Sequence, residues 1–145
     1  NHPDLVTSYH HVGNVYYNMG EYSKALSSYK QSLEIEKVIL STNHPNLAAS
    51  YNNIGEVYRD MGDYSKALSF YKQSLEIRKV ALSSHSPDLA GSYNNMGFVW
   101  EKLNDYSKAL LYLRKADTIN KMVLPATHPN RKATEASIKR VEEKP

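Results

Sequence analysis

The residues of this chain with the most evident chemical potential are its six histidines and the pairs Ser27-x-x-Lys30 and Ser69-x-x-Lys72. Histidines can ligate a metal, but a shared ion needs every donor within about 2 Å of it. His2, His44 and His128 each stand directly before a proline, at the same place in three copies of a repeated text. Stacked copies would hold them roughly one repeat apart. His10 and His11 are adjacent, and adjacent residues on a helix do not face one another. The Ser-x-x-Lys pairs match a signature of serine acyl-transfer enzymes, yet the companion Ser-Asp-Asn and Lys-Thr-Gly triplets are missing. The third copy of the same text reads Leu111-x-x-Arg114. No glycine-rich phosphate loop is present, and no acid pair stands apart from the repeat. The expectation is a non-enzymatic chain with no catalytic residue, no cofactor and no metal.

What positions these residues is the repeat itself. Pro3, Pro45, Pro87 and Pro129 recur every 42 residues, and the text between them is copied with them, for example "SYNNIGEVYRDMGDYSKALSFYKQSLEIRKV" over 50–80. A fixed period in this range marks a repeat architecture. The 145 residues, 41% of them hydrophobic and 23% charged, suffice for one sizeable core. No apolar run reaches the roughly 18 residues of a membrane span, so no membrane partner is expected. The net charge of +3 is spread along the copies rather than gathered into the basic stripe that nucleic acid requires. With no cysteine, disulfides and thiolate sites are excluded, and the expected location is cytoplasmic. The chain begins at Asn1 in mid-array without an initiator Met, and a fragment of a longer array is expected.

Each copy reads as two helices. Leu47, Tyr51, Ile54, Tyr58 and Met61 recur at helical spacing, as do Tyr64, Ala67, Leu68, Tyr71 and Leu75. Pro45 suits the first helical position, where its missing N–H costs nothing. Gly62 punctuates the pair, and Asp63 or Asp105 can cap the second helix better than Glu21. Gly13, Gly55 and Gly97 fall in mid-helix, where glycine costs about 1 kcal/mol against alanine. Close packing must repay that cost, with Ala25, Ala67 and Ala109 facing the glycines and Tyr16, Tyr58 and Trp100 beside them. The in-register tyrosines read as core, and Lys24, Lys66, Lys108, Lys37, Lys79 and Lys121 as solvated outer faces.

The pattern Tyr51, Ile54-Gly55, Tyr58, Gly62, Ala67, Tyr71 resembles the tetratricopeptide repeat. The long second helix "SLEIRKVALSS", the linkers "NHPDL" and "NHPNL" and the "YNN" of Tyr51–Asn53 and Tyr93–Asn95 resemble the kinesin light chain type of that repeat. The resemblance covers nearly the whole chain. It implies an all-α, right-handed superhelical solenoid of antiparallel helix pairs, with units 1–42, 43–84 and 85–126. A partial fourth repeat over 127–145 reads as a polar cap, with Ala133, Ile138 and Val141 as its thin apolar stripe. Asn104 stands where the first two units have Gly20 and Gly62, and Leu113 stands where they have Tyr29 and Tyr71.

The resemblance implies a protein or peptide partner, held in a concave groove lined by the first helices. Counting from the packed residues, their open face carries His10, Asn14 and Tyr17, then Asn52, Glu56 and Arg59, then Asn94, Phe98 and Glu101. These positions vary among units that are otherwise near copies. The basic groove that takes acidic cargo in kinesin light chains is not present. Two other roles fit the same text. The array could serve self-association or spacing, through an uncovered first face at Leu5, Tyr9 and Val12, or it could be an accessory repeat beside an enzyme domain outside this sequence.

Overall fold

The computed structural model describes residues 2–145, and side chains from Asp4 onward. Asn1 and the side chains of His2 and Pro3 lie outside the described residues, and with them the place of His2 in the histidine series. The described residues form seven helices and no strand: α1 (His2–Asn18), α2 (Tyr22–Ile39), α3 (Pro45–Asp60), α4 (Tyr64–Ala81), α5 (Pro87–Lys102), α6 (Tyr106–Val123) and α7 (Pro129–Glu142). The fold is the all-α helical-repeat array expected from the period. Two compact units divide it, Asn1–Ile77 and Arg78–Pro145.

The punctuation between helices has a local cause in each case. Gly20 and Gly62 take φ of 77° and 82°, and Asn104 takes 63°, a region that asparagine enters more readily than other side-chain-bearing residues. Each closes the preceding first helix in the same way. Gly62 N–H donates to the Arg59 carbonyl at 3.0 Å and Asp63 N–H to the Tyr58 carbonyl at 2.9 Å, the paired bonds of a Schellman turn. The next helix then starts on a cap. The carboxylates of Asp63 and Asp105 accept the amides of Lys66 and Lys108 at 3.3 and 3.1 Å, whereas Glu21 makes no side-chain cap.

The histidines before proline are also caps. His44 Nδ1 accepts the Asn46 amide and His128 Nδ1 the Asn130 amide, both at 3.1 Å, and Ser86 Oγ does the same for Asp88 at 3.2 Å. A ring nitrogen here replaces the usual hydroxyl or carboxylate.

In each hairpin a mid-helix glycine of the first helix receives a large side chain of the second. A Cβ on Gly55 would lie 2.8 Å from the Tyr71 ring and 3.4 Å from the Ala67 carbonyl. On Gly13 it would lie 2.6 Å from the Tyr29 ring, and on Gly97 2.7 Å from Leu113. The close approach is thus made by Tyr29, Tyr71 and Leu113 together with the alanines. Tyr58 is buried beside it, while Tyr16 and Trp100 are half-buried. The Lys24, Lys66 and Lys108 ammonium groups sit over the rings of Tyr16, Tyr58 and Trp100 at 5.5, 5.5 and 4.3 Å, so these lysines cover aromatic faces as well as meeting solvent.

In the Arg78–Pro145 unit, α7 closes the core by laying Val141 on Ala109 and Leu113, with Trp100, Tyr106, Leu110 and Ile138 packed around them. Ala133 is exposed, and Thr134 takes the buried place expected for it. Thr134 can be buried because Asn120 Nδ2 donates to its hydroxyl at 3.1 Å.

A contrast between two helical glycines tests the crossing. Gly91 has nothing within 4 Å of a built Cβ. Gly91→Ala should therefore stabilise by about 0.5–1 kcal/mol through helix propensity. Gly55→Ala gains the same propensity but forces the Tyr71 ring to move, and should be net destabilising by about 1–3 kcal/mol. Thermal denaturation of both variants checks the signs; a rise in melting temperature for Gly55→Ala would remove the crossing argument.

Candidate functional site

Along α1 and α3 the first-helix residues meet one another through side chains that the 42-residue register brings close. Tyr17 donates its hydroxyl to Asp60, and Arg59 Nε donates to the same carboxylate at 3.0 Å. Asn52 Nδ2 donates to Glu56 Oε1 at 3.4 Å, and Asn14 accepts from the Tyr29 hydroxyl of α2. Burial, then the bond to Asp60, pushes the Tyr17 phenol up to about 12, so it stays a donor at any physiological pH. The Tyr71 hydroxyl is buried with no hydrogen-bond partner among the described residues, and burial also raises its pKa; Arg59, Glu56 and Asp60 are the charges it feels most. The result is a polar patch of half-buried Tyr17, Asn52, Glu56 and Arg59 with the exposed Asp60, on the first helices of the Asn1–Ile77 unit. Asp60 is the member that helical counting missed, because the corresponding positions hold Asn18 and Lys102.

His10 has a different setting. Its Nε2 lies 3.2 Å from both Glu36 Oε1 and Ser50 Oγ, while Ser50 Oγ donates to the same carboxylate oxygen at 2.5 Å and Ser32 Oγ at 3.2 Å. With the serine protons committed to Glu36, Nε2 must carry hydrogen to donate as well. Glu36 is only 3% exposed. Burial works to raise its pKa, but the bonds from His10, Ser50 and Ser32 outweigh it and hold the carboxyl below its ordinary value. His10 therefore belongs to the polar centre where α1, α2 and α3 meet.

In the second unit the three expected residues part company. Asn94 accepts from the Thr134 hydroxyl of α7 at 3.0 Å. Glu101 takes a two-pronged bond from Arg140 at 2.7 and 2.9 Å, which holds its pKa below the usual carboxylate range. Phe98 remains 36% exposed, with Lys102 Nζ 5.4 Å from its ring centre. Helix α7 thus supplies partners to two of the three, a role its polar composition did not disclose.

Position by position, the open face follows what lies beneath it. Tyr29 and Tyr71 underlie the turn that carries Asn14 and Glu56; Leu113, with no hydroxyl, underlies the turn that carries Phe98. That pairing of polar with tyrosine and apolar with leucine is visible in the sequence once the crossing is known. Among the described residues no group of three metal-ligating side chains could hold an ion, and no helix is long and apolar enough to cross a membrane.

The tetratricopeptide repeat describes this arrangement of helix pairs, and family models of that repeat match residues 4–79 and 89–130. The first alone spans more than half of the chain. The chain belongs to the tetratricopeptide repeat family.

Solved structures agree on the fold. The chain superposes on the nearly identical repeats of a putative kinesin light chain from Podosopora anserina with a TM-score of 0.81 at 22% identity, covering 95% of this chain and 65% of that one. BtubC (BKLC) from P. vanneervenii gives 0.90 at 19%, covering 99% and 57%. The apo form of RapI gives 0.84 at 23%, covering 96% and 48%. The chain therefore spans less than two thirds of these relatives' lengths. Among curated proteins none matches it in sequence.

The buried centre has a pH signature. Glu36 has its pKa lowered by folding, so its stabilisation is fully present above the unfolded value and is lost as pH falls through the folded one. Glu36→Gln should cost about 1–3 kcal/mol at pH 7, where charged hydrogen bonds to a buried group are lost. The gap from the parent should close as pH drops below about 4.3, the unperturbed glutamate value. Denaturant titrations between pH 7 and pH 3 measure it; a gap constant across that range would contradict the assignment.

Proposed function

We propose that the chain is a non-catalytic binding array that holds a peptide or protein segment on the open faces of its first helices. The carrying observation is where the copies differ. Text that is otherwise closely repeated changes character on the open face, from Asn14 to Glu56 to Phe98 and from Tyr17 to Arg59 to Glu101, while Gly13, Gly55 and Gly97 and the facing Ala25, Ala67 and Ala109 stay the same. Surfaces that carry recognition vary while their scaffold does not.

Asn52 offers a donor and an acceptor to a partner's backbone, and Glu56, Arg59 and Asp60 supply both signs of charge with geometry already set by Tyr17. Phe98 offers an aromatic anchor of the kind that dominates interface energy. Thr134 and Arg140 fix the orientation of Asn94 and Glu101 on their first helix.

A display screen of random peptides against the immobilised protein supplies a binding segment, which is then titrated against variants by calorimetry. Phe98→Ala should weaken binding by at least about 2 kcal/mol, roughly thirtyfold, and Asn52→Ala or Asn94→Ala by less, since one neutral hydrogen bond is worth about 1 kcal/mol. Lys66→Ala on α4 should be near neutral. Loss of binding in Lys66→Ala with Phe98→Ala and Asn52→Ala intact would put the ligand on the second helices.

Self-association is the second reading, favoured by the exposure of Leu5, Val12, Val15 and Met19 along α1. It expects a concentration-dependent sedimentation coefficient that Val12→Glu abolishes. A monomer at all concentrations would exclude it.

A further inference from the structure

Outside the first-helix faces, the Asn1–Ile77 unit carries an open notch of about 530 Å³ between α2 and α4. Its floor is Leu40, Leu47, Tyr51 and Ile77, and its rim holds the cations Lys37 and Lys72. None of the residues assigned above to partner binding lines it. We propose that this notch is a second docking site, which takes an acidic peptide segment by seating large apolar side chains on the floor while flanking carboxylates pair with the two lysines.

Charge argues for the sign of the occupant. Helix α4 carries four basic residues against one acid and α2 three against two, whereas α3, which contributes to the floor, carries two acids against one base. Both walls of the notch are therefore net basic. At the notch itself Glu76 is the one acid on the lining. The intrahelical pair of Lys37 with Glu34, 3.6 Å apart and exposed, is too weak to hold that lysine from a ligand. One repeat on, Lys37 and Lys72 become Lys79 and Arg114, Gln73 becomes Lys115 and Glu76 becomes Thr118. The cations persist in register where the acid does not.

The floor argues for the class. Its volume falls within the roughly 300–1,000 Å³ of ligand clefts, and its walls are aliphatic and aromatic, which suits amino-acid side chains. A phosphate polymer would leave the floor unfilled. A bilayer surface cannot enter a recess between two helices. A peptide satisfies floor and rim together.

The probe is a capped hexapeptide, Glu-Glu-Phe-Leu-Glu-Glu, titrated into isotopically labelled protein and followed by amide and methyl shifts. The expected result is saturable binding with shifts centred on Leu40, Leu47, Tyr51 and Ile77. Replacing Phe-Leu by Ala-Ala, replacing the glutamates by lysines, or introducing Lys72→Glu should each weaken it about tenfold or more. The charge-matched control Lys132→Glu on α7 should leave it unchanged. Lys72 is exposed, where a pair contributes little, and the melting temperature of its variant is measured beside binding to separate loss of the site from loss of fold. No saturation at millimolar peptide, or equal loss with Lys132→Glu, would overturn the proposal. So would binding of anionic vesicles or a single-stranded oligonucleotide that depends on Lys72 when the peptide's does not. Shifts centred on Asn52 and Glu56 would overturn the notch while supporting the first-helix reading, so the two fail separately.

Discussion

The crossing of a glycine-bearing first helix by the bulky residue of its second helix is the constraint from which the rest of the repeat follows. A Cβ on Gly13, Gly55 or Gly97 would sit 2.6–2.8 Å from the side chain that crosses it, closer than packed carbons approach. Each glycine forgoes about 1 kcal/mol of helix propensity, and the buried Tyr29, Tyr71 or Leu113 returns more than that in apolar area. The same contact decides what the outer face can be. In the first copy the hydroxyl of the crossing tyrosine donates to Asn14, whereas in the second the Tyr71 hydroxyl is buried with no partner among the described residues. Leucine carries no hydroxyl, and Phe98 can stand over it without leaving a polar group stranded.

A second constraint acts where one hairpin meets the next. Glu36, Arg78 and Asn120 occupy the same place in successive copies, and Ser50, Ser92 and Thr134 the facing one. Each pair is bonded: Ser50 to Glu36 at 2.5 Å, Arg78 to Ser92 at 2.7 Å, Asn120 to Thr134 at 3.1 Å. A buried acid and a base cannot exchange sites without losing their own partners, and an unpaired buried charge is costly. Copies that look interchangeable along the core are therefore distinguished at their junctions. Glu36 depends on His10, Ser32 and Ser50 together, so the first junction is specified by three helices at once.

Much of this was legible before the structure. The prolines gave the period, the 3.6-residue pattern gave the helices, and a glycine or asparagine closing each first helix gave the hairpins, because each of these signals is local. What stayed hidden depended on partners distant in sequence. His10 counts as surface on its own helix and is drawn into the junction by Glu36 and Ser50, 26 and 40 residues on. Asn94 and Glu101 count as open until α7 folds over them with Thr134 and Arg140. Ala133 looked like core by hydrophobicity, but Thr134 is the residue that faces inward, since Asn120 there needs a polar partner. The capping histidines were the subtlest case, because their residue type suggested metal chemistry where their position served a backbone amide.

The two helix sets then divide the chemistry of the surface between them. First helices present amides, a tyrosine and paired charges of both signs, which suit directional contacts to a backbone. Second helices present ammonium groups, several of them laid over aromatic rings, which suit a diffuse attraction for negative charge. Lys115 lies 5.6 Å from the ring centres of both Tyr93 and Tyr112, and Lys30 donates to the Tyr58 hydroxyl at 2.8 Å, so the cations are held against the scaffold rather than waving free. Ordering a lysine in advance reduces the rotamer entropy lost when a ligand arrives. One repeat text can thus carry two kinds of recognition, because a helix hairpin has two outward sides and the glycine crossing fixes which residues belong to each.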